Sequence, residues 1–348
     1  MKKTLALVLA LCMVAALCVS AFAEEKTEFD IRALIWKYDD TYGSSVRQAM
    51  TDAVEELSEE LGLTINFQMY DAADDMAKQV EQANMIVNEH PDFVIINLAE
   101  VASGQQLVDL FTEAGIPFLF YNKEPSEETV QSVVVDSGSI FIGTTPREAG
   151  DMQGEILADI WAADQSIDLN GDGKLQFVEL EGEPNNPEAI ARTKYSEETA
   201  VLNGVPLEAA LEEYILVANW DTAQANEKFA PVFAAHPEIE VVFVNNDDMG
   251  TGVVAALMQE GFNTGKEGDP KLVVIGVDAT DAALESIKNG GMTATVKQDG
   301  DAMGYANIAI ALNYLQNGSW LEGTDYEYAA DGYSVRIPYA KITADKLG

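Results

Sequence analysis

From residue 168 the chain reads Asp168-Leu169-Asn170-Gly171-Asp172-Gly173-Lys174-Leu175-Gln176-Phe177-Val178-Glu179. Side-chain oxygens stand at the first, third, fifth and ninth positions, and a glycine at the sixth permits a sharp turn. This spacing wraps hard oxygen ligands around one cation and is the calcium-loop pattern, with Lys174 contributing its main-chain carbonyl at the seventh position. The twelfth residue, Glu179, holds the place of the usual bidentate closing ligand. Yet Gln176–Leu180 reads as a strand and not as an exit helix. A straight strand carries Glu179 away from the loop, so another carboxylate must close the shell. Nothing near the loop suggests chemistry, and the expected Ca2+ is structural.

A second group of residues lies at the ends of apolar runs: Tyr38-Asp39-Asp40, Asn97, Asn122-Lys123-Glu124, Asn245-Asn246-Asp247-Asp248 and Asp278. Trp36, Tyr38, Tyr42 and Trp220 stand beside them. Fixed carboxylates and amides can donate to and accept from hydroxyls, while aromatic faces cover C–H surface. That combination suits a neutral polyol and needs no nucleophile or base. The chain has two histidines, His90 and His236, each directly before a proline. A histidine base or histidine metal cluster is therefore not expected. Neither a Gly-x-Ser-x-Gly elbow nor a phosphate-cradling glycine loop occurs. Paired carboxylates are abundant, so a glycosidase remains an alternative on composition.

The elements that must position these groups alternate. Short runs of Ile, Val, Leu and Phe, such as Thr64–Met69, Phe93–Asn97, Pro117–Tyr121, Gln176–Glu181, Val241–Asn245 and Leu272–Val277, fit strands buried on both faces of a parallel sheet. Leu207–Val217 is expected to be a further strand. Between the runs lie amphipathic stretches such as Tyr42–Leu61 and Asn186–Leu202. Strand-then-helix repetition predicts α/β architecture with right-handed crossovers. About ten strands exceed one compact sheet, and the length favours about two domains. Ligands of open parallel sheets bind outside the carboxyl ends of the strands. Polar ends contributed by both halves of the chain therefore predict a cleft between two lobes.

Composition narrows the partners. Acids outnumber bases 59 to 20 in 348 residues, a formal charge of −39. Phosphate neutralisation is excluded as a binding mode, so no nucleic-acid partner is expected, and neither is an anionic membrane surface. Lys2 and Lys3, the apolar run Thr4–Val19 and Ala21-Phe22-Ala23 have the layout of a secretory signal peptide spanning residues 1–23. Cleavage after Ala23 removes both cysteines, Cys12 and Cys18, and moves the charge to −41. Lipid attachment at Cys18 is disfavoured by Leu17, which is not small. An exported, monomeric protein without disulfides is expected.

The chain resembles the periplasmic galactose/glucose-binding proteins of ATP-driven sugar importers. The strings that carry the likeness run through nearly the whole chain after the leader. They include Trp36-Lys37-Tyr38-Asp39-Asp40, Phe120-Tyr121-Asn122-Lys123-Glu124-Pro125, the calcium loop with Gln176-Phe177-Val178, Gly182-Glu183-Pro184, Asn219-Trp220-Asp221-Thr222-Ala223-Gln224, Asn245-Asn246-Asp247 and Gly276-Val277-Asp278-Ala279. The resemblance implies two Rossmann-like lobes with parallel sheets joined by a three-segment hinge. It implies that Asp40 and Asn97 bind the sugar from the first lobe, with Tyr42 stacked on one sugar face and Trp220 on the other. Arg192, Asn246 and Asp278 are the implied ligands from the second lobe. Glu240 is implied as the remote carboxylate that closes the ion shell of Asp168, Asn170, Asp172, Lys174 and Gln176.

Three positions depart from the family pattern. Its Gly-His-Pro-Asp is here Asn185-Asn186-Pro187-Glu188, and its Asn-Asp is Gln298-Asp299. Asn186, Glu188 and Gln298 thus occupy sugar-contacting places with altered reach, which bears on which aldose fits. The implied lobes are 24–116 with 298–336, and 117–297 with 337–348, the loop 168–176 lying in the second. Crossings are expected near Ile116–Tyr121, Lys297–Asp299 and Arg336–Pro338. The implied role is capture of D-galactose, D-glucose or a related aldose for an ABC-transporter permease. Presentation to a chemoreceptor is compatible with that role. A secreted, calcium-stabilised carbohydrate-active enzyme is the alternative. A sugar-responsive repressor shares the two-lobed core but fails on the leader, the missing DNA-binding headpiece and the charge.

Overall fold

The computed structural model describes residues 26–347. The expected signal peptide and Cys18 lie outside the described residues. The chain begins with β1 (Glu28–Ile35), α1 (Thr41–Leu61), β2 (Thr64–Asp71), α2 (Met76–Glu89), β3 (Phe93–Ile96), α3 (Gly104–Ala114), β4 (Phe118–Tyr121) and β5 (Phe141–Gly143). It continues with α4 (Pro146–Ala163), β6 (Leu175–Glu181), α5 (Pro187–Leu202), β7 (Leu207–Ala209), β8 (Ile215–Val217) and α6 (Thr222–Ala235). Then follow β9 (Ile239–Val244), α7 (Asp247–Gln259), β10 (Val273–Val277), α8 (Asp281–Lys288), β11 (Ala294–Lys297), α9 (Gly300–Asn317), β12 (Ser334–Arg336) and β13 (Ala340–Thr343).

These strands form two sheets. The first has the order β12-β5-β4-β3-β1-β2, with every neighbouring pair parallel. The second runs β13-β11-β10-β9-β6-β7, with β8 also on β6, and only its β13 edge is antiparallel. Runs such as Phe93–Ile96 and Val273–Val277 are buried at every residue. Helices cover both faces of each sheet, which is why these strands lack polar–apolar alternation. Each sheet with its helices is one lobe.

The first crossing corrects the expected lobe boundary. Val94 pairs with Phe118 and Phe120 with Phe141, so β4 and β5 extend the first sheet. The chain therefore leaves that lobe at Thr144–Thr145 and not near Ile116–Tyr121. The physical reason is that β4 and β5 are as apolar as any strand of the second sheet, and only pairing decides which sheet they join. The chain returns between β11 and α9, at Gln298–Asp299, because α9 packs on α1. It crosses for the third time at 337–339, between β12 and β13. The expected strand Leu207–Val217 is two pieces, since β7 pairs with Leu175–Phe177 and β8 with Glu179–Glu181 while the residues between them loop out.

The helix that carries several candidate residues, α5, is seated by close packing. Gly150 and Gly154 of α4 face it, and a Cβ at Gly154 would stand 2.5 Å from the Ser196 carbonyl oxygen. Among the described residues no helix is long and apolar enough to cross a membrane.

Candidate functional site

Three helices point their N-termini at the cleft, and each begins with a residue that the sequence had singled out. Asp40 caps α1 by accepting from Gly43 N at 2.7 Å, and Asn246 caps α7 from Met249 N at 3.0 Å. Asn186 caps α5 from Glu188 N at 3.0 Å, with Pro187 in the first helical turn. The residues that cap these three helices are therefore also residues of the candidate site.

A small cavity lies between the lobes. The first lobe contributes Trp36, Asp40, Tyr42, Asn122 and Lys123. The second contributes Asn186, Glu188, Arg192, Trp220, Asn246 and Asp278, and Gln298 enters from the second crossing. Nine of the ten sequence-derived sugar positions line this cavity. Asn97 does not. It is buried behind the wall, and its Oδ1 accepts from Lys123 N at 3.4 Å. Asn122 takes its place, turned toward the cavity by a left-handed backbone (φ 61°). Lys123 and Trp36 are the other lining residues not assigned from sequence. The string Asn122-Lys123-Glu124 at a strand end was the available signal.

Backbone strain gathers here. Asn122, Trp220 and Asp278 all have positive φ, at 61°, 64° and 118°. For a tryptophan this region costs on the order of 1–2 kcal/mol, so surrounding contacts must hold it. The Trp220 indole lies against the backbone of Gly182, where a Cβ would collide with the ring. Gly182 is fixed in turn by Asn245, whose Oδ1 accepts from Gly182 N at 3.0 Å.

Arg192 organises the far wall. Its Nη1 donates to the Asn245 carbonyl at 2.7 Å, and its Nη2 donates to Gln298 Oε1 and to the Tyr339 hydroxyl, both at 2.8 Å. Glu188, one turn earlier, stands 3.2 Å away, and Asp278 3.9 Å. Burial opposes the Arg192 charge, but nearby Tyr339, Glu188 and Asp278 outweigh it and raise its pKa above the ordinary value. Arg192 Nε and Trp220 Nε1 are buried donors without a protein partner.

Burial pushes the Asp40 carboxyl up to about 6 and raises Asp278 well above the usual carboxylate range. Behind the wall, burial pushes Asp247 to about 7; it accepts from Thr280 N at 2.8 Å and Thr295 Oγ1 at 2.7 Å. The lobes touch directly across the cleft. Lys123 Nζ meets Glu183 at 2.8 Å while lying 3.6 Å from the Trp36 ring centre, and Thr41 Oγ1 donates to Asp248 at 2.8 Å.

The 168–176 loop is a run of turns held by its own side chains. Gly171 N and Gly173 N donate to the Asp168 carboxylate at 2.6 and 2.8 Å, and Asp172 N donates to Asn170 Oδ1 at 2.9 Å. Glu240, at the start of β9, reaches into the loop. Its Oε1 accepts from Leu169 N at 2.6 Å, and its Oε2 from Gln176 N at 3.3 Å. Glu179 is carried off by β6 into the lobe core, where Ser196 Oγ donates to it at 2.6 Å. Among the described residues no three His, Cys, Asp or Glu side chains converge as a metal cluster. The loop's oxygens are mixed, with amide and main-chain carbonyl oxygens alongside carboxylates. Asp168, Asn170, Asp172, the Lys174 carbonyl, Gln176 and Glu240 are the residues that could hold an ion.

Two sheet-and-helix lobes enclosing a polar, aromatic-walled cavity at their strand ends define a ligand-receptor architecture. Residues 34–319 match the family profile described as a periplasmic binding protein domain, and the chain belongs to that family. Its relatives include the D-galactose/methyl-galactoside binding periplasmic protein MglB of Haemophilus influenzae. The two are 32% identical over 350 residues, covering 100% of this chain and 99% of that one. A putative rhizopine-binding protein of Rhizobium meliloti is 27% identical, covering 96% and 95%. Among solved structures, an ABC transporter solute binding protein from Bacillus halodurans with bound myo-inositol superimposes with a TM-score of 0.73 at 23% identity. That superposition covers 93% of this chain and 97% of the other.

Proposed function

We propose that this chain is the extracytoplasmic substrate-binding protein of a sugar ABC importer. It takes D-galactose, D-glucose or a related aldose between its lobes and hands it to a membrane permease. The observation that carries this reading is a cavity lined by carboxylates, amides and the rings of Trp36, Tyr42 and Trp220, in whose wall residues Arg192 Nε and Trp220 Nε1 are buried donors without a protein partner. An uncharged ring with several hydroxyls supplies acceptors for those donors and donors for Asp40 and Asp278. It also presents C–H faces to Tyr42 and Trp220. The similarity to sugar-binding relatives along the full chain supports the same reading. In this reading the protein captures the sugar stoichiometrically and releases it unchanged. Sugar in contact with both lobes favours the closed arrangement, and the closed form is what a permease or a chemoreceptor would read. It is an exported monomer.

The 168–176 loop with Glu240 fits Ca2+. A carboxylate that already faces the loop's amides closes an oxygen shell in which Asp168, Asn170, Asp172, Gln176 and the Lys174 carbonyl supply the other ligands. Its role is to fix the segment between α4 and β6.

A thermal-shift screen of monosaccharides and cyclitols, with calcium present, tests the proposal. One or a few aldoses should raise Tm and bind one per chain by calorimetry. Absence of any shift across the panel, or release of a product from the bound sugar, would sink it.

A further inference from the structure

Glu188 and Gln298 line the cavity, but their polar atoms are committed elsewhere. Glu188 Oε1 accepts from Thr144 Oγ1 at 2.6 Å. Its Oε2 lies 3.0 Å from the Tyr339 hydroxyl and 3.2 Å from Arg192 Nη2. Gln298 Oε1 accepts from Arg192 Nη2 at 2.8 Å, and its Nε2 donates to Asn122 Oδ1 at 3.3 Å. The Tyr339 hydroxyl accepts from Arg192 and has one proton to share between Glu188 and Thr144, both at 3.0 Å.

The partners of this cluster are not scattered. Thr144 is the first crossing between the lobes, Gln298 the second and Tyr339 the third. One guanidinium and one carboxylate, a helical turn apart on α5, therefore bond to all three strands of the hinge. All five residues are at least nine-tenths buried. We propose that Glu188, Gln298 and Tyr339 are positioning residues that fasten Arg192 to the three hinge strands, so that sugar engagement by Arg192 and lobe closure are one event. This rests on the sugar-binding reading for its ligand, but the hinge connection itself does not.

The chemistry separates a positioning role from direct contact. A residue that bonds one hydroxyl changes preference among epimers and deoxy sugars. A residue that sets the hinge weakens every ligand by one factor, because closure is common to all. Tyr339→Phe removes a hydroxyl and keeps the ring; Glu188→Gln removes the charge and keeps the shape. Calorimetry against galactose, glucose and their deoxy derivatives should give a loss of roughly three- to tenfold for each variant, equal across the sugars. The double variant should be little worse than the weaker-binding single, since both break one network. Small-angle scattering without sugar should report a different mean lobe opening in Tyr339→Phe than in wild type. Losses that track one hydroxyl in Glu188→Gln but not in Tyr339→Phe would overturn the proposal by making Glu188 a sugar contact. Wild-type affinity with unchanged scattering would overturn it too. If wild-type protein binds none of the sugars, the sugar reading fails, and the scattering comparison still decides the hinge assignment.

Discussion

Gly182→Ala tests whether the Trp220 indole sets the shape of the cavity. A Cβ at this position would stand 2.5 Å from indole Cδ2 and closer still to two other ring atoms. Optimal carbon contacts are about 3.5–4.0 Å, so the ring must retreat by roughly 1 Å. Its free direction is the cavity it already lines, since Gly182 is held from behind by Asn245. Overpacking that cannot relax costs about 1–3 kcal/mol in stability. Here the ring relaxes by intruding on ligand space, so the cost appears mainly in binding. We expect an affinity loss of about tenfold or more, equivalent to about 1.4 kcal/mol, with a small change in Tm. Calorimetry and thermal denaturation measure the two. The decisive control is Trp220→Ala, which weakens binding by itself. Adding Gly182→Ala to it should change affinity no further, because the colliding ring is gone. Wild-type affinity in Gly182→Ala, or a full additional loss in the double variant, would refute the argument.

Three further outcomes follow from the electrostatics and the loop. A sugar hydroxyl donates more strongly to an ionised Asp40 than to a protonated one, and burial pushes that carboxyl up to about 6. Affinity should therefore fall as pH drops through about 6, and Asp40→Asn should bind weakly with that step abolished; a flat profile in wild type would remove Asp40 from the site. The unliganded fold should respond oppositely. Asp40 and Asp247 keep protons to about 6 and 7 when folded but release them near 3.8 when unfolded, so the folded state binds more protons in between. Stability in chelator is thus expected to decline as pH rises from about 4 to about 7, and a Tm that climbs across that window contradicts the assignment. Glu240→Ala should lower Tm strongly in calcium and much less in chelator, and equal losses in the two conditions would exclude it as an ion ligand.

Some of the site is written locally. Asp40, Asn186 and Asn246 stand directly before helical stretches, so one local preference, helix capping, makes them detectable. The loop at 168–176 is likewise a short-range pattern in which ligand spacing dictates the turn. Other features have no local signal. Asn97 and Asn122 both follow an apolar strand of the same sheet, and sequence spacing cannot rank them. The positive φ at Asn122 turns one into the cavity, while pairing leaves the other behind it. Lys123 is a wall residue because Trp36 and the Ala99 carbonyl of its own lobe and Glu183 of the other hold its ammonium group.

The sequence by itself determined the kind of surface and the kind of sheet. Apolar runs without alternation require strands covered on both faces, and polar residues at their ends require a solvent-facing rim where a ligand can sit. The excess of acids opposes the approach of polyanions. Tertiary structure alone decided which strands share a lobe, where the chain crosses, and which polar groups meet. β4 and β5 belong to the first sheet because their backbone pairs with β3, a long-range choice that composition does not encode. Thr144, Gln298 and Tyr339 are far apart in the chain, and they gather around Arg192 and Glu188 only because three separate segments must pass through one hinge.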